Sequence, residues 1–332
     1  MSIYTHDQDQ QVIRPGSSRK VRTGAESLYR GVLTSTSVFM AILVVLFVYS
    51  IVSSSIPGWK LAGFSLFTSE NWNFTPIQGS FGALPLIAGT FFTTIFALLL
   101  AVPISIGTAL AIVFFIPRRF QTFLSSLIEL LAVVPSVVYG VWGLLVIDRW
   151  LNSSAQPWLI NNWLPWSHGA WPFSGAPLGF GMMLGTIVLA VMILPTVTSI
   201  TRDVFALVPQ DLVEGGLSLG ATKGQVLTRV VLPSARTGII GAVVLGTGRA
   251  LGETVAMAFL LGGVTSASPM PTNLLATGAT LASEIANNFI DSIGQSGLIG
   301  VLCCLALILM VIVMAVNLTA QAVIRRGERK LL

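Results

Sequence analysis

Six long apolar runs separated by polar segments dominate the chain. They cover residues 32–52, 84–116, 123–147, 178–200, 238–262 and 298–320. A helix needs about 20 mainly apolar residues to cross the hydrocarbon core of a bilayer. The pattern therefore predicts six transmembrane helices. The second run is longer than one crossing requires, so part of it is expected to extend into the outer loop or along the membrane.

The composition supports a membrane protein. Hydrophobic residues make up 54% of the 332 residues and charged residues only 9%, whereas a soluble domain carries roughly 25% charged residues. The segment before the first run is polar and lacks the features of a secretory signal, so the first run is predicted to be a retained helix. The predicted fold class is an all-α integral membrane protein.

The basic residues orient the predicted helices. Apart from Lys60, Arg149 and Arg249, the 18 Lys and Arg residues all lie in segments that six crossings place on one side of the membrane. Loops rich in Lys and Arg remain in the cytoplasm, so both termini are predicted to be cytoplasmic. The net charge of +5 is explained by this topology, and a nucleic-acid partner is not predicted.

Three of the runs contain proline, namely Pro103, Pro135 and Pro195. Proline removes one helical hydrogen bond and kinks a helix. In a membrane this is tolerated where neighbours or a water-filled cavity satisfy the freed carbonyl group. Two interpretations follow: ordinary helix irregularity, or helices that bend around a transport path.

Other residue types point to little further chemistry. Cys303 and Cys304 are adjacent in the sixth run, where neighbouring residues rarely pair, so no disulfide is predicted. His6 and His168 are isolated, which leaves a metal site without support. The segment 150–171 contains Trp158, Trp163 and Trp166, and such aromatic residues are typical of a membrane–water interface.

The polar segment 202–236, between the fourth and fifth runs, predicts two short amphipathic helices. For the first helix, Asp211 and Glu214 resemble a capping arrangement, and Gly220 is a natural stop. Four apolar residues are predicted to form its apolar side: Leu212, Val213, Leu217 and Leu219.

The second short helix is predicted to begin with a capping box formed by Thr222 and Gln225 and to end at Pro233. An amphipathic helix of this kind either docks in the groove of a partner protein or lies on the lipid surface. The residues by themselves leave both interpretations open.

The fifth run contains two charged residues, Arg249 and Glu253. Their spacing places them on one helix face, about 6 Å apart along the axis. Because a charge at mid-membrane costs roughly 2.5–3.5 kcal/mol, the pair is either a structural ion pair or part of an anion path. Gly241, Gly248 and Gly252 lie along the same helix, and ordinary helix packing is the favoured explanation for them.

The segment 202–236 resembles the cytoplasmic EAA motif of ABC importer permeases. The residues that carry the resemblance are Glu214, Gly215, Gly216, Gly220, Leu232 and Pro233. The two glycines after the glutamate stand where the family usually has alanine, which weakens the first helix. The resemblance implies coupling helices at 203–233 that dock on an ATPase subunit. Since the chain has no G-x-x-x-x-G-K-[ST] phosphate loop, it is expected to bind no cofactor, and ATP and Mg²⁺ belong to the ATPase.

A second resemblance concerns the substrate. The segments SFGALPLIAGT (80–90), VVPSVVYGVWG (133–143), MILPTVTSITRDVFALVP (192–209) and GRALGETVAMAFLLGG (248–263) are similar to the phosphate-specific permeases of the Pst system, especially its C-type subunit. This resemblance implies the type I ABC importer permease fold and a role for Arg249 and Glu253 in phosphate passage. It also implies a bacterial cytoplasmic membrane location, an A-type permease partner, an ATPase dimer and an extracytoplasmic phosphate-binding protein.

The predicted organisation follows from both resemblances. It comprises a cytoplasmic tail (1–28), a first transmembrane helix with an external loop (29–83), a permease domain (84–320) and a basic cytoplasmic tail (321–332). Four alternatives remain open at the level of sequence: the A-type partner, a permease for another oxyanion such as sulfate, a secondary transporter or channel, and a membrane scaffold that regulates a sensor kinase.

Overall fold

The computed structural model describes residues 24–74, 79–163, 171–264 and 270–328, and these residues are mostly helical. The helices are α1 (Gly24–Ala62), α2 (Ser65–Thr68), α3 (Leu84–Phe114), α4 (Arg118–Val133), α5 (Ser136–Trp142), α6 (Asp148–Trp150), α7 (Gln156–Asn162), α8 (Met182–Ala206), α9 (Gln210–Ser218), α10 (Lys223–Val226), α11 (Leu232–Leu251), α12 (Val255–Leu260), α13 (Leu281–Asn288) and α14 (Ser296–Glu328). π-Helical turns at Gly143–Ile147, Leu151–Ala155 and Leu227–Val231 join neighbouring helices. A two-stranded antiparallel hairpin, β1 (Trp72–Asn73) and β2 (Ser80–Phe81), precedes α3.

The described residues contain five candidate spans, or six if a bent pair of helices counts as one, and the third and fifth predicted runs are not continuous helices. Five helical segments are each long and apolar enough to cross a membrane: Leu28–Ala62, Leu84–Phe114, Met182–Ala206, Lys223–Leu251 and Ser296–Ala322. The remaining candidate span, which is third in chain order, is a bent pair of helical segments, Arg118–Val133 and Ser136–Asn162. The long second run forms one continuous helix, α3, and Pro103 and Pro195 lie inside continuous helices.

The third run, 123–147, was predicted as a single crossing, and the structure corrects this. The chain bends by 89° between α4 and α5. Pro135 has no N–H to donate to the carbonyl of Leu131, four residues earlier. The Tyr139 hydroxyl donates to that carbonyl instead, at 2.8 Å. The bend is therefore a proline break whose freed acceptor is satisfied by a side chain from the next helix.

Helix α8 lies at the centre of the molecule. It packs mainly on α3, and also on α11 and α4. Two thirds of its most apolar window is buried, and its inward side chains include Met182, Leu184 and Ile193. A helix that is buried around most of its circumference must be apolar on all sides, which matches the continuous apolar run.

The structure divides into two units after Ser50. In the first unit the described part is the helical segment 24–50, whose large apolar side chains are exposed. In the second unit the end of α1 crosses α14 very closely, because a Cβ on Gly58 would collide with the backbone of Gly300. Next to this crossing the Cys304 thiol donates to the Ser55 carbonyl, with 3.4 Å between sulfur and oxygen. Small residues let two membrane helices approach in this way.

Candidate translocation and coupling sites

The fifth run, 238–262, is broken in the structure where a continuous helix was predicted. Helix α11 ends at Leu251, Gly252 forms its C-cap, and α12 begins at Val255. Glu253 therefore lies in the break between two helices. The predicted helical spacing of Arg249 and Glu253 on one face is wrong, because the backbone stops being helical between them.

Arg249 lies in the last turn of α11 and is half-buried. Its Nη1 donates to the Thr196 hydroxyl of α8, with 3.0 Å between the two atoms. Among the described residues no ion pair joins Arg249 to Glu253 or to any other carboxylate. Within the part of the chain that the structure describes, the guanidinium charge therefore has no carboxylate partner, although it lies in a membrane-spanning helix.

Glu253 is half-buried beside the start of α12. Its Oε1 accepts a hydrogen bond from the backbone N–H of Ala256, with 3.4 Å between the atoms. A carboxylate is favoured at a helix start, where backbone N–H groups have no helical partner. Arg249 and Glu253 therefore stand on the two sides of one helix break, each held by a different neighbour.

One face of α11 remains open. A Cβ added to Gly241 or Gly248 would meet nothing within 4 Å, and the Leu245 side chain between them is 59% exposed. Ordinary helix packing was the favoured explanation for these glycines, with a partner permease subunit as one surface they could pack against. Among the described residues, Gly241 and Gly248 have no packing partner. By contrast, Gly246 on another side of α11 packs against Val197.

The first coupling helix, α9, begins at Gln210 with Pro209 at the N-cap position. The predicted cap at Asp211 is wrong, because Asp211 already lies in the first turn, where its negative charge favours the helix dipole. The helix stops as predicted: Gly220 has φ +80°, a left-handed conformation that favours glycine.

The second coupling helix starts as predicted but does not end as predicted. The Gln225 N–H donates to the Thr222 hydroxyl and the Thr222 N–H donates to Gln225 Oε1, at 3.3 and 2.9 Å, which confirms the capping box. The helix then continues past Leu232 and Pro233 into α11. Pro233 does not break it because it sits in the first turn of α11, directly after a π-helical turn that shifts the hydrogen-bond pattern.

Packing divides the residues of α9 into two sets. Val213 and Leu217 line a small apolar cavity together with Phe114 of α3 and Val226 of α10. Glu214 and Gly215 are exposed, and nothing lies within 4 Å of a Cβ placed on Gly215.

One further exposed side chain and one packed glycine complete this segment. Leu219, beyond the end of α9, is 90% exposed. A Cβ on Gly216 would lie 3.0 Å from Val226, so the second glycine serves close packing. The coupling segment therefore presents an acidic and apolar surface that the chain itself leaves uncovered.

Two charged clusters were missed at the level of sequence. Arg202 of α8 forms ion pairs with Glu129 of α4 and with its neighbour Asp203. Glu284 of α13 is 7% exposed and accepts hydrogen bonds from Trp72 Nε1 and Asn288 Nδ2, at 2.6 and 2.7 Å. For the first cluster the available signal was Glu129, a charged residue inside the apolar run 123–147. Glu284 lies outside all six runs, and no local pattern pointed to it.

Burial raises the pKa of Glu284, and the hydrogen bonds from Trp72 and Asn288 act in the opposite direction. In the aromatic segment Trp158 and Trp163 are 62% and 50% exposed, while Trp166, His168 and His6 lie outside the described residues.

Comparisons with known proteins identify the family. A family profile described as "Binding-protein-dependent transport system inner membrane component" matches residues 101–331. The "Phosphate transport system permease protein PstC" of Mesorhizobium japonicum is 38% identical over 323 residues, which is 95% of both chains. The protein of that name from Pasteurella multocida is 37% identical and covers 92% of this chain and 93% of its own length.

A solved structure shows the same fold. It is that of a bacterial alginate ABC transporter in complex with an alginate pentasaccharide-bound periplasmic protein. One of its chains aligns with a TM-score of 0.60 and 17% identity, covering 92% of this chain and 98% of that one. The helices described above thus have the arrangement of a type I ABC importer permease. This chain belongs to the family of binding-protein-dependent transport system inner membrane components, and its relatives within that family include the PstC phosphate permeases.

Proposed function

We propose that this chain is the C-type permease subunit of an ATP-driven importer that moves inorganic phosphate across the bacterial cytoplasmic membrane. The observation that carries the proposal is the uncompensated Arg249 guanidinium in the last turn of α11. Such a charge costs roughly 2.5–3.5 kcal/mol near mid-membrane, so intramembrane ionisable residues usually serve function.

The geometry of Arg249 suits an oxyanion. The guanidinium group carries a positive charge, and its planar fork has five N–H donors. The bond to Thr196 uses one of them. The remaining donors match paired oxygen atoms of phosphate.

Glu253 has a complementary part in this proposal. Its negative charge, across the helix break from Arg249, keeps the arginine from holding phosphate too tightly. Its carboxylate can also accept a hydrogen bond from a protonated phosphate, which sulfate does not offer. Phosphate is therefore favoured over sulfate as the cargo.

The partners of this importer are those that the resemblance to Pst permeases implies, and surfaces that the described residues leave uncovered support two of their positions. A cytoplasmic ATPase dimer docks on α9 and Gly220, uses ATP and Mg²⁺, and drives the cycle. An A-type permease packs against the open face of α11 at Gly241 and Gly248. An extracytoplasmic phosphate-binding protein delivers the substrate from the opposite face.

Uptake of labelled phosphate by proteoliposomes that contain the whole complex tests the proposal. We expect Arg249→Gln to abolish uptake while the complex still assembles. Arg249→Lys should reduce uptake about tenfold or more, because a hydrogen bond to a charged group contributes about 1.5–3 kcal/mol and a point charge lacks the planar fork. Glu253→Gln should also impair uptake.

Arg149→Gln is the matched control, because it removes the same charge at an exposed position and should leave uptake unchanged. A structural ion pair predicts a different pattern, in which each single variant lowers assembly and the double neutral variant recovers it. Full uptake by the double variant, or preferred uptake of sulfate, would contradict the proposal.

A further inference from the structure

Helix α4 is fastened to the rest of the protein by polar contacts. Each of its residues 118–133, all described by the structure, keeps part of its surface accessible. Gln121 Nε2 donates to the carbonyls of Val113 and Ile116 at the end of α3, at 3.3 and 2.9 Å. Glu129 Oε1 lies 3.1 Å from Arg202 Nη2 of α8. Leu124, Ile128 and Ala132 of α4 are half-buried, so partly buried apolar contacts act together with these polar contacts to hold the helix.

The C-terminal end of α4 is a hinge. The chain turns by 89° after Val133, and the helical hydrogen-bond ladder is interrupted at Pro135. Across the bend, the Tyr139 hydroxyl holds the Leu131 carbonyl. The Val134 N–H donates to the same carbonyl at 3.4 Å, and the proline leaves the bend without a continuous helical ladder.

The ion pair joins this hinged helix to the coupling segment. Arg202 lies in the last two turns of α8, which ends at Ala206 and leads directly to α9. Asp203, from the same helix, accepts hydrogen bonds from Arg202 Nε and Nη2 at 3.0 and 2.7 Å. Asp203 therefore orients the guanidinium group, while Glu129 is the partner that comes from another helix.

The pair lies in an open polar cleft of about 420 Å³. Hydroxyl groups of Thr122, Ser125 and Ser126 line it beside Glu129 and Arg202. Together these side chains give the cleft a polar wall, opposite apolar residues such as Ile112 and Val113. The Glu129 side chain is 57% exposed, and a partly exposed ion pair is weak enough to break and form again.

We propose that Glu129 and Arg202 form a latch that transmits movement of the coupling segment to α4. When the ATPase displaces α9, the end of α8 carries Arg202 with it. Through Glu129, Arg202 turns α4 about the hinge at Pro135, which changes the width of the polar cleft. Both residues are positioning residues, and the inference rests on the proposed function.

The test compares two carboxylates that bind the same arginine. Complexes containing Glu129→Gln or Asp203→Asn are placed in proteoliposomes, and phosphate uptake and ATP hydrolysis are measured together. We expect Glu129→Gln to assemble and hydrolyse ATP while the phosphate transported per ATP falls roughly two- to thirtyfold, the range of measured coupling effects. Asp203→Asn should keep the ratio of the unmodified complex, because it removes no link between helices.

Exchange of the charges provides the second arm. In the Asp203→Asn background, Arg202→Glu should lower the amount of phosphate transported per ATP hydrolysed. Adding Glu129→Arg should restore that amount. If Glu129→Gln lowers assembly of the complex, the charge-exchanged variant takes its place in the test. A charge-exchanged variant that assembles normally but does not recover phosphate transport per ATP overturns the latch. An unchanged ratio in Glu129→Gln, or an equal loss in Asp203→Asn, also overturns it. Failure of the unmodified complex to transport phosphate would instead refute the proposed function.

Discussion

At the scale of single residues, Glu284 joins distant parts of the chain. It is buried on α13, outside the membrane-spanning helices, and binds Trp72 of the β1–β2 hairpin. Burial raises its pKa above the ordinary value. A carboxyl group with a raised folded-state pKa stabilises the fold fully below its unfolded pKa, and this contribution is lost as pH rises through the folded pKa.

Glu284→Gln should remove this pH dependence. The glutamine amide keeps an oxygen that can accept hydrogen bonds from Trp72 and Asn288, and the amide does not ionise. We expect the variant to gain thermal stability relative to the unmodified protein as pH rises from about 4.5, the ordinary pKa of a glutamate, toward neutrality. Thermal unfolding in detergent across this range measures the difference. A difference that stays constant with pH would show that Glu284 has no raised pKa in the folded protein.

At the scale of elements, the coupling segment is built from local rules. Gly220 turns the chain between α9 and the capping box at Thr222. Val213 and Leu217 then fix the angle of α9 against α10. The proposed docking surface therefore depends on one left-handed residue that lies outside both helices.

Gly220→Ala should weaken docking of the ATPase. A left-handed conformation costs a residue with a Cβ about 1–2 kcal/mol, so the turn that positions α9 is strained. Gly224→Ala is the matched control, since this position also has open space around its Cβ but no positive φ. We expect co-purification of the ATPase to fall for the first variant and to remain normal for the second. Equal co-purification would argue against the coupling role of this turn.

At the scale of the whole molecule, α3, α8 and α11 form the packed centre, with the break after Leu251 beside it. α4 and the coupling segment lie at the end of α8 that carries Arg202 and Ala206. The β1–β2 hairpin and α13 contact each other through the hydrogen bond that Trp72 donates to Glu284. Six crossings predict that the basic segments and the coupling segment lie on one side of the membrane.

Labelling of single cysteines tests this topology. In a background with Cys303→Ala and Cys304→Ala, an impermeant maleimide applied from outside should label Glu70→Cys, an exposed position before the hairpin. Gln10→Cys and Ser218→Cys should react only after the membrane is opened, because Lys and Arg concentrate on the cytoplasmic side. Labelling of position 10 or 218 in intact cells would reverse the orientation.

The sequence by itself determined the features that depend on neighbouring residues. The apolar runs specified the spans, Gly220 the end of α9, and Thr222 with Gln225 the next helix start. Each of these signals acts within a few residues or within one helix, where composition and turn chemistry decide the outcome.

Only the tertiary structure decided how the runs bend and which charges meet. Apolar character is the same in a straight span and in one broken at Pro135 or Gly252, because membrane proteins tolerate breaks wherever neighbours satisfy the backbone. The Tyr139 hydroxyl provides such a partner from across the bend. Glu129 and Arg202, like Trp72 and Glu284, are far apart in the chain. Their pairing depends on helix packing, which no local pattern encodes.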